Sequence, residues 1–138
     1  MPRHLSSLTL AALLLTSTAA GAAPPPNDTC PTAITISGLE LPFTQQLETV
    51  QATEAGDPPM PCATASPGKS VWFRFEPATS DSYVFDTGGS APADYQPVLA
   101  LYTGGCSSPT PVAGACARGR LPAYLEEGMT YYLMVAGD

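Results

Sequence analysis

Short runs in which apolar and polar residues alternate recur along the chain from residue 33 onward. The clearest run is Ser70–Glu76, where Val71, Phe73 and Phe75 share one face of an extended chain and Trp72 lies on the other. Further strand candidates are Ala33–Ile36, Asp81–Asp86, Val98–Thr103, Pro111–Ala117, Arg120–Leu125 and Thr130–Val135, with a weaker one in Leu41–Val50. No window sustains an apolar stripe at helical spacing. The pattern therefore predicts an all-β, antiparallel sandwich of about 7–8 short strands.

The segments between these runs are rich in proline, glycine and small residues. Residues 24–26 form a stiff lead-in of three prolines, and residues 51–69 read as a long irregular loop that carries Cys62. The predicted organisation is a signal peptide at residues 1–22, a proline-rich lead-in at residues 23–29 and one β-sandwich domain at residues 30–138.

The N-terminus predicts export. A short basic start at Arg3 and His4 precedes the apolar run Leu8–Leu15, and Ala20-Gly21-Ala22 has the small-residue pattern of a cleavage site. The apolar run is shorter than the roughly 20 residues that span a bilayer. We therefore expect a secreted protein, extracellular or at the cell surface, with no membrane span in its mature form.

Charge and composition narrow the chemistry of this secreted chain. Without the signal peptide, four basic residues face twelve acidic ones, a formal net charge of −8. Such a surface repels phosphate backbones, which argues against nucleic acid as a partner. The only histidine, His4, leaves with the signal peptide, so a thiol or hydroxyl nucleophile has no imidazole base.

The four cysteines, Cys30, Cys62, Cys106 and Cys116, form an even set in an oxidising compartment and predict two disulfides. A zinc site would need Cys-x-x-Cys pairs or histidines, and neither occurs in the mature chain. Cys106 and Cys116 bracket a reversal rich in Pro, Ser and Gly, so we expect them to bond to each other and to leave Cys30 for Cys62.

Four sequence motifs occur in a fixed order along the chain. They are Asn27-Asp28-x-Cys30-x-x-Ala33-x-x-Ile36, then Gly68-Lys69-Ser70-Val71-Trp72-Phe73-x-Phe75, then Val98-Leu99-Ala100-Leu101-Tyr102-Thr103-Gly104-x-Cys106 leading to Val112-Ala113-x-x-x-Cys116, and finally Gly128-x-Thr130-Tyr131-Tyr132-x-x-Val135-x-Gly137. In that order they resemble the bacterial pre-peptidase C-terminal domain family and its close relatives. The resemblance implies a jelly-roll-like β-sandwich, itself non-catalytic, that is appended to secreted peptidases and other extracellular enzymes.

Some members of that family bind calcium, but this chain departs from them at two places. Gln96-Pro97 and Ala117-Arg118-Gly119 stand where relatives often have acid-containing segments. Calcium needs several hard oxygen ligands, so we expect no cofactor and no inherited calcium dependence. The alternative is a calcium site formed by Asp81, Asp86 and Asp94 if these three acids gather at one end of the sandwich.

Aromatic residues provide the candidate ligand-binding site. Trp72, Tyr102 and Tyr132 are assigned to strand faces opposite the main apolar set, and Tyr124 has a similar place. If exposed, such a row could bind sugar or peptide, whereas the simpler alternative is that it is buried in the sandwich. The adjacent acids Glu126 and Glu127 fit a turn better than a glycosidase pair. Asn27-Asp28-Thr29 matches a glycosylation sequon but also fits a turn at the start of the domain.

The sequence therefore favours a secreted, non-catalytic accessory module that mediates binding or attachment of a larger extracellular protein or enzyme. Its partners would be the polysaccharide or protein substrate of an attached enzyme. A carbohydrate- or peptide-binding module with an exposed aromatic site is the first alternative. A carboxylate-based hydrolase, which needs two acids facing each other across a cleft, is the second.

The last apolar run predicts an incomplete sheet. Tyr131–Val135 lies within a few residues of Asp138, and the resemblance implies one further strand after a turn at Gly137-Asp138. An aromatic strand left at a sheet edge invites aggregation. We therefore expect Ala23–Asp138 alone to be poorly soluble or dimeric, and an extension of about 10–15 residues to make it monomeric.

Overall fold

The computed structural model describes residues 21–64 and 67–137, so the first 20 residues of the predicted signal peptide lie outside the described chain. Its strands are β1 (Ile34–Ser37), β2 (Val71–Glu76), β3 (Asp81–Asp86), β4 (Val98–Thr103), β5 (Thr110–Arg118), β6 (Arg120–Leu125) and β7 (Tyr131–Ala136). Two short 3-10 turns, Cys30–Thr32 and Gly38–Glu40, flank β1. The predicted all-β class is confirmed.

The strands form two sheets of unequal size. One has five strands in the order β1-β2-β7-β4-β5, and the other pairs β3 with β6. The pairing is antiparallel except between β1 and β2, which are parallel. A parallel pair needs a long crossover, and the long connection between Ser37 and Val71 provides it. The chain passes from β5 to β6 through Gly119, at a φ of 71° that favours glycine.

The first core lies between the two sheets, on what we call the strand-covered face of the five-stranded sheet. Phe75 on β2 is 1% exposed and packs edge-on against Tyr83 and Phe85 of β3, at ring-centroid distances of 5.0 and 5.6 Å. The other buried members are Ile36, Leu99, Leu101, Ala115, Leu121, Leu125, Tyr131 and Leu133. This core follows from the alternation in the sequence, because every second strand residue points between the sheets.

The second core lies on the opposite side, which we call the loop-covered face. It holds Met60, Trp72, Val98, Ala100, Tyr102, Met134 and Ala136, with Cys30, Ala33, Ala63, Cys116 and Tyr132 packed against it. Strand residues supply most of it, but Met60 and Ala63 come from the proline-rich loop and Cys30 from the first turn. The loop predicted for residues 51–69 is therefore, in part, a third layer of the domain.

The predicted disulfide pairing is wrong. Cys30 bonds to Cys106 and Cys62 bonds to Cys116, with Cα–Cα distances of 5.5 and 5.6 Å. Cys106 lies in the loop between β4 and β5, whereas Cys116 lies on β5 opposite Ala100. The six steps along the chain from Thr110 to Cys116 extend roughly 20 Å as a strand, far more than the Cα separation of about 7 Å that a disulfide spans. Both bridges instead tie irregular segments to the loop-covered face.

Two expectations about strands are also corrected. Strand β7 is the central strand of its sheet, paired with β2 on one side and β4 on the other, so it is not an edge strand. The stretch Leu41–Val50 forms no strand and is largely exposed. The remaining predicted strands are present, and those over Asp81–Asp86, Val98–Thr103 and Arg120–Leu125 have the predicted bounds.

Candidate functional site

The predicted aromatic row exists but is not exposed. Trp72 and Tyr102 lie on the loop-covered face, are fully buried, and pack with their ring centroids 5.7 Å apart. Tyr132 packs against the same cluster and is half-buried. Alternation correctly assigned these side chains to the face opposite the main core, but could not indicate that Met60 and Ala63 cover it. The folded protein therefore offers no ligand surface at Trp72 or Tyr102.

A polar network under the loop anchors this cover. The Asp57 carboxylate accepts hydrogen bonds from Trp72 Nε1 at 3.1 Å and from the Ser70 hydroxyl. The Tyr102 hydroxyl donates to the Pro59 carbonyl at 3.0 Å. Burial raises the pKa of Tyr102 to about 12, and the nearby Asp57 charge acts in the same direction. These bonds hold the loop over the aromatic side chains.

The protonation of Asp57 depends on its surroundings. Burial raises the pKa of this carboxyl above its ordinary value of 3.8, although the hydrogen bonds from Ser70 and Trp72 oppose the shift. The Ser70 hydroxyl oxygen also lies 3.1 Å from the Thr53 carbonyl. One hydroxyl proton cannot serve two acceptors. A protonated Asp57 would resolve the conflict by donating to Ser70 while Ser70 donates to Thr53.

The start of the domain is fastened to the same region. Asn27 is fully buried, and its Nδ2 donates to the Trp72 carbonyl at 2.9 Å, while the Trp72 amide donates to the Asn27 carbonyl at 2.8 Å. Asp28 accepts from the Thr53 amide at 2.6 Å and from its hydroxyl at 2.7 Å. Asn27 of the sequon is thus inaccessible in the fold, and the motif forms the turn at the start of the domain.

The candidate metal ligands do not gather at one end of the sandwich. Asp81 and Asp86 lie at opposite ends of β3, about 17 Å apart for an extended strand. Asp81 accepts a hydrogen bond from the Ser82 amide and Asp86 from the Gly88 amide, both at 2.7 Å. Asp94 is exposed in the loop before β4. Among the described residues no three metal-binding side chains form a group, so these three acids do not form the hypothesised site.

The paired acids of the hydrolase alternative lie at a turn. Glu126 and Glu127 are both exposed between β6 and β7, and the Glu127 amide donates to the Ser80 hydroxyl at 2.9 Å. Sequence analysis did not single out Asp28 and Asp57 as site residues, although both accept hydrogen bonds from a second segment. Two features of the sequence could have indicated Asp57. It is the only Asp in the proline-rich loop, and the single tryptophan needs an acceptor for its indole N–H. All four carboxylate oxygens of Asp28 and Asp57 are occupied by protein donors.

The outward face of the two-stranded sheet is a regularly arranged exposed surface. We call it the platform; its members are Ser82, Val84, Asp86, Arg120, Pro122 and Tyr124, and all six are exposed. Tyr124 is 65% exposed and Val84 49%. Asp86 and Arg120 face each other at one end, with 3.6 Å between Oδ2 and Nη1. The platform therefore combines an apolar centre, one exposed aromatic ring and an ion pair on one face of a two-stranded sheet.

Three comparisons with known proteins found no match for the chain. No protein family, no curated protein and no solved structure matches it. No helix in the described ranges has the length and apolar character to cross a membrane. The resemblance to the pre-peptidase C-terminal domain family therefore stays a prediction from the four ordered motifs.

Proposed function

We propose that the chain is a secreted, non-catalytic accessory module that binds or attaches a larger extracellular protein or enzyme through the platform. Two disulfides indicate an oxidising environment, which supports secretion. The ordered motifs support an accessory role. The platform is the observation that carries the binding part of the proposal.

The composition of the platform suits a contact surface better than a solvated sheet face. Antiparallel sheets that face water normally carry polar side chains on that side. Here Val84, Pro122 and Tyr124 adjoin one another, because Val84 pairs with Pro122 and Tyr124 is diagonal to Val84. Tyrosine is among the residues enriched at binding hot spots, since it offers a large rigid surface with one polar tip.

Carbohydrate is the second candidate ligand, and Tyr124 is the observation that favours it. The exposed ring has an apolar face, and Ser82 lies directly opposite on β3. Asp86 and Arg120 stand at the other end of the platform and can hydrogen-bond hydroxyl groups. These are the groups that a sugar-binding surface needs.

Retention of the purified chain on defined beads tests both candidates. We would use casein and gelatin as protein probes, and cellulose, chitin and xylan as polysaccharide probes. The variants are Tyr124→Ala and, as a matched control, Leu39→Ala, which truncates a side chain that is 86% exposed and is not part of the platform. Both are expected to fold, because exposed substitutions usually change stability by about 0.5 kcal/mol or less.

We expect wild type and Leu39→Ala to bind at least one probe equally, and Tyr124→Ala to bind it about tenfold more weakly, as loss of a hot-spot side chain implies. Retention on protein beads would support the attachment role, and retention on polysaccharide alone would support the second candidate. Equal retention of Tyr124→Ala would show that the platform is not the contact surface. No retention on any bead would contradict the binding role.

A further inference from the structure

We infer that the free edge of β3 accepts an extended strand from the partner protein. This inference rests on the proposed function and adds to it the form in which the partner binds, as a strand added to the two-stranded sheet. It concerns the backbone edge of β3, whereas the platform is a side-chain surface. The two can therefore be tested separately.

Three of the four sheet edges in the described chain are blocked or too short. Strand β1 has only four residues and ends in a 3-10 turn on each side. Strand β5 carries Pro111, a register shift against β4 and Gly114 at a positive φ of 74°. Strand β6 carries Pro122. Prolines and irregularities of this kind are how edge strands avoid pairing. Strand β3 has six regular residues with neither proline nor glycine.

The hydrogen-bond pattern shows which groups of β3 face the open side. The Thr87 amide donates to the Gly119 carbonyl at 2.9 Å, one step beyond the β3–β6 register. In an antiparallel pair, bonded positions alternate, so Tyr83 and Phe85 bond to β6. Val84 pairs with Pro122, which has no N–H and fits a non-bonded position. The N–H and C=O of Val84 therefore point to the free edge.

The side chains next to this edge leave apolar surface for an added strand. Tyr83 and Phe85 point inward but remain only half-buried. A strand beside β3 would cover these rings from the open side. A peptide with apolar residues at alternate positions would place them against the rings and its other residues toward solvent.

Charge selects the kind of occupant. Asp81 and Asp86 stand at the two ends of β3, and both are exposed. A second copy would bring the same acids on its own β3, from a mature chain of formal charge −8, and like charges disfavour that pairing. A segment with Lys or Arg beside Asp81 instead complements that carboxylate, whereas Asp86 is already paired with Arg120. The occupant is thus a basic, alternating segment of a different protein.

The probe is the synthetic peptide acetyl-Lys-Val-Thr-Val-Thr-Val-Lys-amide. Its control has the same sequence with N-methyl groups on two successive central residues, so that one lost donor faces β3 in either register. We expect the first peptide to slow hydrogen exchange at the Val84 and Asp86 amides of the full chain, and the methylated peptide to leave them unchanged.

Two substitutions at Val84 distinguish the contribution of the backbone to peptide binding from that of the side chain. Val84→Pro removes the edge donor without touching the bonds to β6, and Val84→Thr keeps that donor in a similar shape. We expect Val84→Pro to weaken binding of the probe peptide by about tenfold or more and Val84→Thr by less than about threefold. Leu39→Ala, at a residue that belongs neither to β3 nor to the platform, should bind the peptide like wild type. Retention of Tyr124→Ala on the beads tests the platform separately.

Several results would overturn the inference. Equal binding of the peptide by Val84→Pro, or slowed exchange elsewhere than β3, would show that the edge is not the site. A Val84 amide already protected before the peptide is added would show that the edge is occupied. A dimer whose formation slows that amide would replace the partner with a second copy. If Val84→Pro does not fold, the methylated peptide on wild type still decides.

Discussion

The two faces of the five-stranded sheet are covered in different ways. On the strand-covered face, β3 and β6 bring regular alternation, and the contact is almost entirely apolar. On the loop-covered face, residues 57–63 and the first turn form the cover, with two disulfides and hydrogen bonds to Asp57 and Pro59 at its margin. One face of this sheet is thus covered by strands, and the other face is covered by irregular chain.

The difference follows from backbone chemistry. Strands satisfy one another's N–H and C=O groups, so only side chains need a place in the core. An irregular cover supplies fewer such bonds and loses more conformational entropy per contact. It therefore depends on cross-links and on specific polar anchors, which here are Asn27, Asp28 and Asp57. We expect the loop-covered face to be the more sensitive to single covalent and polar changes.

Removing a disulfide should have the largest effect, and the Cys62–Cys116 bridge is the first case. The bridge closes a loop with a sequence separation of 54, so the double variant Cys62→Ala/Cys116→Ala should lose about 4 kcal/mol of unfolding free energy. Denaturant unfolding followed by Trp72 fluorescence measures it, because Trp72 lies directly beneath the loop. Hydrogen exchange should rise around Met60 before it rises in β6.

The bridge Cys30–Cys106 provides the matched comparison. Its sequence separation of 76 predicts a similar loss, about 4 kcal/mol, on the same entropic argument. Peptide mapping of the unreduced protein should recover both pairs. A loss below about 1 kcal/mol for the Cys62–Cys116 variant would mean that packing and hydrogen bonds alone hold the loop in place.

The strand-covered face could be predicted from sequence, and the reason is periodicity. The alternation in Ser70–Glu76 and Val98–Thr103 assigned Phe75, Leu99 and Leu101 to one buried face, and the structure places them there. Strand order could not be predicted in this way. Strand β7 reads as the last strand of the chain, yet it lies at the centre of the sheet because β2 and β4 pair with it from both sides.

The loop-covered face could not be predicted from the sequence, and the reason is physical. Pairing Cys106 with Cys116 relied on closeness along the chain, but an extended β5 carries Cys116 away from that loop and toward Cys62. Whether Trp72 is exposed likewise depends on the covering loop, and that loop has no periodic pattern. Non-local contacts made by irregular chain leave no repeating pattern, so the buried and bonded state of this face appears only in three dimensions.

Asp57→Ala should have the next largest effect on the loop-covered face. The change leaves the buried indole N–H of Trp72 without its acceptor and frees the Ser70 hydroxyl. We expect a loss of about 2 kcal/mol in unfolding free energy, measured by denaturant titration at neutral pH.

Asp57→Asn is the matched control for that change. Its oxygen can accept from Trp72, and its amide can donate to Ser70, which then donates to the Thr53 carbonyl. We expect stability within about 0.5 kcal/mol of wild type or above it. A loss as large as that of Asp57→Ala would show that the negative charge, and not the hydrogen-bond pattern, holds the loop.

Replacing one tyrosine by phenylalanine on each face makes the same chemical change twice, so that the two faces can be compared. Tyr102→Phe removes the hydroxyl bonded to the Pro59 carbonyl, and Tyr131→Phe removes the hydroxyl that accepts from the Glu126 amide on the strand-covered side. We expect about 1 kcal/mol for Tyr102→Phe and less for Tyr131→Phe, whose Glu126 partner is exposed and can bind water. Equal losses would remove the contrast between the faces.

The smallest expected effect is the pH dependence contributed by Asp57. Its pKa is raised in the fold above the ordinary 3.8, mainly by burial, so between the two values the folded state holds a proton that the unfolded state has released. Stability from this group is therefore fully present below about pH 3.8 and is lost as pH rises through the folded pKa. Solvent access to the carboxyl keeps the change modest.

The measurement is the unfolding midpoint of wild type relative to Asp57→Asn from pH 3 to pH 7, a difference in which the effects of other titrating groups cancel. We expect the wild type to lose stability relative to the asparagine variant as pH increases. The opposite trend would mean that the ionised carboxylate is the form that fastens the loop, and that the bonds from Ser70 and Trp72 outweigh its burial.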